Sequence, residues 1–420
     1  MNEPAGWAET TIGEVCDVIQ GQSPPGTSYN FNGDGLPFFQ GKAEFGDLRP
    51  TVRKWTTEAR KQAIEDDVLL SIRAPVGPTN LAASACAIGR GLAAIRPLGD
   101  ILPRFALYAL RATSGGLAAA ATGSTFGAVS GLQVRSHPMP LPPLAEQRRI
   151  VAAIEEQFSR LDAANRVLQA TALRLEALRR AVLDTTFRAE IRTKTLGEVA
   201  DTKLGKMLSE KSKVGERPFP YLRNKSVQWY RIDVDDLPAM DFSDSEREKF
   251  NLSHGDVLIC EGGEVGRAAV WREQLEDCYF QKALHRVRTG SELDPEFLVH
   301  VFRWFADRDA FEPYVTGSTI KHLPQEDLRR LPVPLPPLED QRRIVAELEQ
   351  QLSLIDSLRA AVESAQKRSA ALRRAILERA FRGELVPQDP ADGPASVLLE
   401  RIRAERTENP PTKRRTRAAR

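Results

Sequence analysis

The sequence predicts an α+β protein: two mixed α/β globular parts separated by two long antiparallel coiled-coil helices, with the halves related by a pseudo-twofold internal repeat. Three observations lead there. A block near the middle of the 420 residues recurs near the C-terminus at constant offset. Within each block, apolar residues return every seven positions, the mark of a coiled-coil seam. Outside the blocks, short apolar runs alternate with Gly/Pro/Asn clusters, the pattern of strands and loops.

The repeated blocks begin PLPPLAEQRRIVAAIEE at Pro140 and PLPPLEDQRRIVAELEQ at Pro334. They stay in step without a gap to ALRRAVLDTTFRAEI (Ala177 to Ile191) and ALRRAILERAFRGEL (Ala371 to Leu385). The same offset pairs Thr122-Gly123-Ser124-Thr125 with Thr316-Gly317-Ser318-Thr319. Upstream the likeness is looser. TIGEVCDV from Thr11 matches TLGEVADT from Thr195, each followed by a glycine, Gly21 and Gly205. DVLLSIRAPVG from Asp67 matches DVLICEGGEVG from Asp256, and LAAIR from Leu92 matches LHRVR from Leu284. The offset drifts among these pairs, as insertions in loops allow. The duplicated unit is one variable globular part followed by one strongly repeated helix.

Each helix follows from its pattern. Ile154, Leu161, Leu168, Leu175 and Val182 form the first seam; Leu348, Ile355, Val362 and Ile376 form the second, with Ser369 breaking the series. A helix can begin only beyond the prolines of PLPPL. The first should run from Leu144 to Arg188, about 65–70 Å if straight. The expected organisation is a first globular part over 1–143, a central long helix over 144–190, a second globular part over 191–337, a C-terminal long helix over 338–385, and a segment with a short helix and a basic tail over 386–420. In the globular parts, Val68–Ile72, Leu92–Ile95, Val257–Ile259 and Arg286–Arg288 read as buried strands. Phe105–Arg111 and Phe297–Phe305 read as helices, and Gly21 to Gly35 as a loop.

Composition and motifs exclude several function classes. Fifty-nine Lys+Arg against 57 Asp+Glu leave a formal charge of +2, so the chain is not a uniformly basic nucleic-acid coat. Cys16, Cys86, Cys260 and Cys278 lie far apart with no C-x-x-C pair, which excludes a disulfide scaffold and suits a reducing cytoplasm. The opening MNEPAGWAETT has no basic region leading into an apolar one, so no secretory signal is expected, and Gly115 to Gly131 is too broken to span a membrane. There is no P-loop, dinucleotide fingerprint or H-E-x-x-H. His137, His254, His285, His300 and His322 lack ligand spacing, so no metal site is expected. Asn409-Pro410-Pro411-Thr412 resembles an amino-methyltransferase motif but has no aromatic ring to stack on a base. The E-x-K within Glu246-Arg247-Glu248-Lys249 reads as a solvated loop or helix start. No catalytic residue is expected.

Duplex contact, if made, must use concentrated patches of base-reading and phosphate-holding side chains. The candidates are Gln40, Lys42, Arg73 and Arg90 in the first half, and Arg223, Lys225, Arg267, Lys282, Lys321 and His322 in the second. Gln40 and Arg223, and likewise Lys42 and Lys225, stand at matched places just after a Pro-aromatic pair. Ser124, Thr125, Ser318 and Thr319 could hold phosphate in the paired Gly-Ser-Thr turns.

With these residues in view, the chain resembles the specificity subunits of type I restriction–modification systems. The likeness is carried by the twin P-L-P-P-L-x-x-Q-R-R-I-V blocks, the twin T-G-S-T turns, D-V-L-L-S-I-R-A-P-V-G, G-R-G-L-A-A-I-R-P, and the C-terminal F-R-G-E-L-V-P-Q-D-P and P-A-S-V-L-L-E-R-I-R. The resemblance implies two target recognition domains, each reading one half of a split, asymmetric site in double-stranded DNA. It implies a non-catalytic subunit whose long helices carry two methyltransferase subunits, which restriction subunits with motor and nuclease activity can join. S-adenosylmethionine, ATP and magnesium are then expected on those partners only, in the cytoplasm and without a membrane. The competing expectations are a specificity module of another DNA-modifying assembly, or a structural coiled-coil adaptor that reads no DNA. The recognition domains of such proteins differ among members, so the resemblance transfers no contact residues.

Overall fold

The computed structural model describes residues 4–121, 127–188, 192–208, 218–317 and 321–408. The chain divides into two compact units, unit 1 comprising 1–167 and 365–420, and unit 2 comprising 168–364. Both draw on the two long helices, Leu144–Phe187 and Leu338–Phe381, each an unbroken run of 44 residues.

Among the described residues, unit 1 contains nine strands: β1 Cys16–Gln20, β2 Tyr29–Asn30, β3 Leu36–Phe39, β4 Trp55–Thr56, β5 Gln62–Ala63, β6 Val68–Ser71, β7 Thr79–Leu81, β8 Cys86–Ile88 and β9 Leu92–Pro97. They make a four-stranded antiparallel sheet in the order β1-β9-β6-β7 and a five-stranded sheet in the order β2-β4-β3-β8-β5. The first sheet is buried on both faces. Val68, Leu70, Ala93 and Ile95 pack toward the helix Pro103–Ala119 and the long helices, whereas Leu69, Leu92 and Ala94 pack under the second sheet. Burial on two sides explains why VLLS reads as a continuous apolar run rather than an alternating one. Ile72 leaves the strand expected to include it, and the helix expected at Phe105–Arg111 extends at both ends, starting on Pro103, where a missing N–H costs nothing.

Unit 2 repeats this plan with β10 Thr193–Thr195, β11 Ala200–Leu204, β12 Pro218–Leu222, β13 Val227–Gln228, β14 Arg231–Ile232, β15 Ala239–Asp241, β16 Val257–Cys260, β17 Ala268–Val270, β18 Tyr279–Phe280, β19 Leu284–Thr289 and β20 Pro332–Pro334. Its four-stranded sheet has the order β11-β19-β16-β17, strand for strand the equivalent of β1-β9-β6-β7, and a smaller sheet has the order β15-β12-β18. Val257, Ile259 and Val287 face the helix Pro295–Asp307, while Leu258, Cys260 and Leu284 face the smaller sheet. DSEREK, expected as a loop or helix start, forms the helix Asp244–Phe250, capped by Ser243 accepting from the Glu246 N–H.

Matched sequence segments carry matched devices. The buried Asp67 carboxylate takes a two-pronged bond from Arg96 at 2.9 and 2.8 Å, and Asp256 takes one from Arg288 at 2.7 and 2.7 Å. These are the D of each DVL and the R of LAAIR and LHRVR. Thr11 with Glu14, and Thr195 with Glu198, form twin capping boxes. The glutamine of each QRR is fully buried: Gln147 accepts from the Leu102 N–H and donates to the Pro142 carbonyl, and Gln341 accepts from Asp294 and donates to Pro336 and Glu292.

The seam positions lie in the cores or, for the half-buried Leu161, Leu168, Val182 and Ile376, against them. In unit 1, Ile154 and Leu161 pack with Ile376, and Arg373 pairs with Asp162 across the two helices. In unit 2, Leu168, Leu175 and Val182 pack with Leu348, Ile355 and Val362. Ion pairs there run antiparallel, Glu176 with Arg359 at 2.7 Å and Arg179 with Asp356 at 3.8 Å. Unit 1 is closed by the short helix Ala395–Glu408, which buries Leu398, Leu399 and Ile402. The Ala395 N–H donates to the Gly6 carbonyl at 2.8 Å, and Arg406 reaches Asp17 at 2.9 Å.

Two predictions follow from packing and burial. A Cβ on Gly21 would stand 2.1 Å from the Gly89 carbonyl oxygen, and one on Gly205 would stand 2.2 Å from that of Gln281. Gly21→Ala and Gly205→Ala should each destabilise their unit by about 1–3 kcal/mol, since backbone must move. Urea unfolding will measure this, and midpoints equal to the parent would refute it. Separately, burial pushes the imidazoles of His285 and His300 in unit 2 down to about 4. The unfolded chain, with histidine near its ordinary 6.5, binds more protons between those values. Stability should therefore fall as pH drops from about 6.5 toward 4, by at most about 1.4 kcal/mol per pH unit for each histidine. His285→Gln should flatten that slope in urea titrations across this range, and an unchanged slope would count against it.

Candidate nucleic-acid interface

In each unit, strands of the second sheet (five-stranded in unit 1, β15-β12-β18 in unit 2) finish together, and side chains singled out from the sequence stand at that end. In unit 1, β2, β3 and β8 run one way and β4 runs the other. Phe31 follows β2, Gln40 follows β3, Arg90 lies just beyond β8, and Lys54 immediately precedes β4. Adjacent strands hold this edge through the Phe38 N–H to the Lys54 carbonyl and the Gly89 N–H to the Phe39 carbonyl, both 2.8 Å. Ser23 links two of the candidates, its Oγ accepting from Gln40 Nε2 at 3.1 Å and from the Arg90 N–H at 3.3 Å. Lys42 opens the 3-10 turn Lys42–Glu44 and is exposed. Arg73 is exposed just past β6, and the Ile72 N–H beside it donates to the Gly91 carbonyl next to Arg90.

Unit 2 builds the same edge with other residues. β12 and β18 are parallel and pair Leu222 with Phe280, as β3 and β8 pair Phe39 with Ile88. Arg223 therefore takes the place of Gln40, and Lys282 that of Arg90. Lys225 lies in the 3-10 turn Asn224–Ser226, as Lys42 lies in its own. The Glu261 N–H donates to the Ala283 carbonyl, matching Ile72 and Gly91, so Gly262 stands where Arg73 does. Gly262 bridges to His322 as Arg73 bridges to Ala128, which brings an exposed imidazole to this edge.

Electrostatics separates the second set into two groups. Asp236 bonds Lys225 at 2.8 Å and Arg223 at 3.1 Å, and the Lys225 hydrogen bond holds its carboxyl below the usual range. The carboxylate so orients both cations at the tip. Lys282 is exposed, and Lys321 is paired with Glu312. Arg267 points inward: its side chain is 14% exposed and bonds Asn224 through the backbone carbonyl at 3.0 Å and Oδ1 at 2.8 Å, and Glu264 at 3.1 Å. Asn224 in turn donates to the Gly262 carbonyl at 2.6 Å. Arg267 thus braces the turn that carries Lys225 and offers little to a ligand. Ser124, Thr125, Ser318 and Thr319 lie outside the described residues.

Sequence reasoning missed Ser23, Asn224, Phe31 and Lys54. The first two act through single hydrogen bonds that leave no pattern. Phe31 had a readable signal, an aromatic residue inside the turn-forming Asn-Phe-Asn-Gly. Chemically, the two edges can donate hydrogen bonds and supply positive charge. The four cysteines are buried, which pushes the Cys16, Cys86 and Cys278 thiols up to about 12 and that of Cys260 to about 11. Among the described residues no cluster of three or more His, Cys, Asp or Glu is placed to hold a metal, and no helix is long and apolar enough to cross a membrane.

Comparison with known proteins identifies the family. Residues 4–170 and 189–364 each match the type I restriction modification DNA specificity domain. Over 446 aligned residues, 96% of both chains, the sequence is 25% identical to the specificity subunit of the type I restriction enzyme EcoKI from Escherichia coli K12. A structure described as the basis of complex assembly and conformational transition of the type I restriction–modification system superposes with a TM-score of 0.76 at 24% identity, covering 91% of this chain and all of that one. The HsdS subunit from Thermoanaerobacter tengcongensis gives a TM-score of 0.56 at 24% identity, over 91% and 98% of the two chains. With its two matching domains, its doubled sheets and its paired long helices, the chain belongs to the type I restriction modification DNA specificity family, as the specificity subunit of such a system.

Proposed function

We propose that the chain reads a bipartite, asymmetric site in double-stranded DNA, one word for each sheet edge, and performs no catalysis itself. The observation that carries this is the matched placement of unmatched side chains. Gln40 and Arg90 in unit 1 stand where Arg223 and Lys282 stand in unit 2. Glutamine pairs best with adenine N6 and N7, arginine with guanine O6 and N7. One scaffold carrying two sets of donors suits two different words. Lys42, Lys225 and His322 are suited to phosphates, which set register without reading sequence.

The partners follow from the same reading. Two methyltransferase subunits bring S-adenosylmethionine, and restriction subunits bring ATP and magnesium chemistry, within the cytoplasm. The two unbroken helices are then the elements that set how many unread base pairs separate the words.

Replacing residues 191–337 with the corresponding part of another specificity subunit should change one word only, as read by mapping modified adenines. A change in both words would refute the assignment of one reader to each half. Inserting two helical turns at equivalent points of both long helices should alter the unread spacer and leave both words intact; altered words with an unaltered spacer would refute it. The isolated chain should neither methylate nor cleave duplex, and activity there would refute the non-catalytic reading.

A further inference from the structure

Unit 1 carries a feature at its reading edge that the described residues of unit 2 lack. β2 adds a strand beside β4, and the turn beyond it raises Phe31 into solvent, 73% exposed. In unit 2 the smaller sheet is β15-β12-β18, with no described strand in the place of β2. The turn is braced. Asn30 Nδ2 donates to the Asp34 carbonyl at 2.8 Å, and its Oδ1 accepts from the N–H groups of Asn32 and Asp34 at 3.2 and 3.0 Å. Gly35 adopts a φ of +83°, and a Cβ there would stand 2.2 Å from the Thr56 carbonyl oxygen, so the turn is pressed against β4.

Lys54 lies beside the aromatic ring. Its ammonium is 5.9 Å from the centroid of Phe31 and 5.1 Å from that of Tyr29, which itself stacks on Phe38 at 5.0 Å. On the same edge Arg53 and Lys54 precede β4, the strand beside β2, while Gln40 follows β3 and Arg90 lies beyond β8; Gln40, Arg53 and Arg90 are exposed, and Asp34 is the acidic residue of the turn. An exposed apolar ring with an ammonium beside it, on an edge that carries further exposed cations, fits an anionic partner that offers one apolar spot. On base edges in the major groove, that spot is the 5-methyl group of thymine.

We infer that Phe31 is a base contact of the first reader, its ring packing on a thymine methyl while Lys54 binds the flanking phosphate. This rests on the DNA-reading proposed above and deepens it. The test uses the full chain in complex with its methyltransferase and a duplex carrying the mapped site. Each thymine of either word is replaced in turn by deoxyuridine, which removes the methyl and keeps the pairing. One position should weaken binding about tenfold, and in Phe31→Ala that position alone should lose its preference for thymine over uracil. Lys54→Ala should weaken both duplexes equally and lower the salt dependence by about one phosphate contact. Phe31 is solvent-exposed, so the variant should fold, and an unchanged melting temperature verifies this. The inference is overturned if Phe31→Ala keeps full discrimination, if no thymine position is sensitive, or if neither word contains an A·T pair. A parent complex that binds no duplex specifically would instead overturn the DNA-reading on which the inference stands.

Discussion

Each globular part is fastened to its long helix through one buried side-chain amide. Where the helix begins, PLPPL supplies three prolines that cannot donate and carbonyls that still need a donor. Gln147 and Gln341, in the first turn, satisfy those carbonyls and also accept from the backbone at the start of the globular part's own helix. Removing either amide would strand several buried polar groups at once, at a cost of about 1–3 kcal/mol each. The rest of the architecture depends on this clamp, because the edge proposed to read DNA is aimed only if the domain bearing it cannot roll on the helix.

Beyond the clamp, the molecule separates what is kept from what varies. The four-stranded sheets, their Asp–Arg pairs and the capping boxes are the same device built twice. The second sheets pack on them and, among the described residues, differ in strand number and in the side chains at their ends. A sheet buried on both faces tolerates little change, whereas residues just past a strand end can be exchanged without disturbing a core. Two readers with different chemistry on one scaffold are a natural product of that division.

The same division explains what could be read from the sequence. The long helices announced themselves through period and repetition, and the central strands through unbroken apolar runs such as VLLS and VLIC, because a single physical cause acted along many consecutive residues. β2, β4 and β5 are two residues long and show no period; cross-strand contacts place them, and those are invisible in one dimension. The pairing of Gln40 with Arg223 was legible from a shared Pro-aromatic lead, but that of Arg90 with Lys282 emerged only from the strand register. Arg267 was legible as a cation, but its engagement with Asn224 was not, because that partner lies far away in sequence. The glycines at 21 and 205 matched in sequence, while their reason, a carbonyl lying where a Cβ would be, belongs to the fold.

The two units are unequal in how the polypeptide supplies them. Unit 2 is one continuous stretch, 168–364, whereas unit 1 needs residues 365–408 to return and cover Gly6, Cys16 and Asp17. On the ribosome, the half encoded second can complete its core while the half encoded first waits with an apolar face uncovered. A nascent chain halted before Ala395 would hold one finished domain and one open one, so the helix Ala395–Glu408 acts as a checkpoint on assembly.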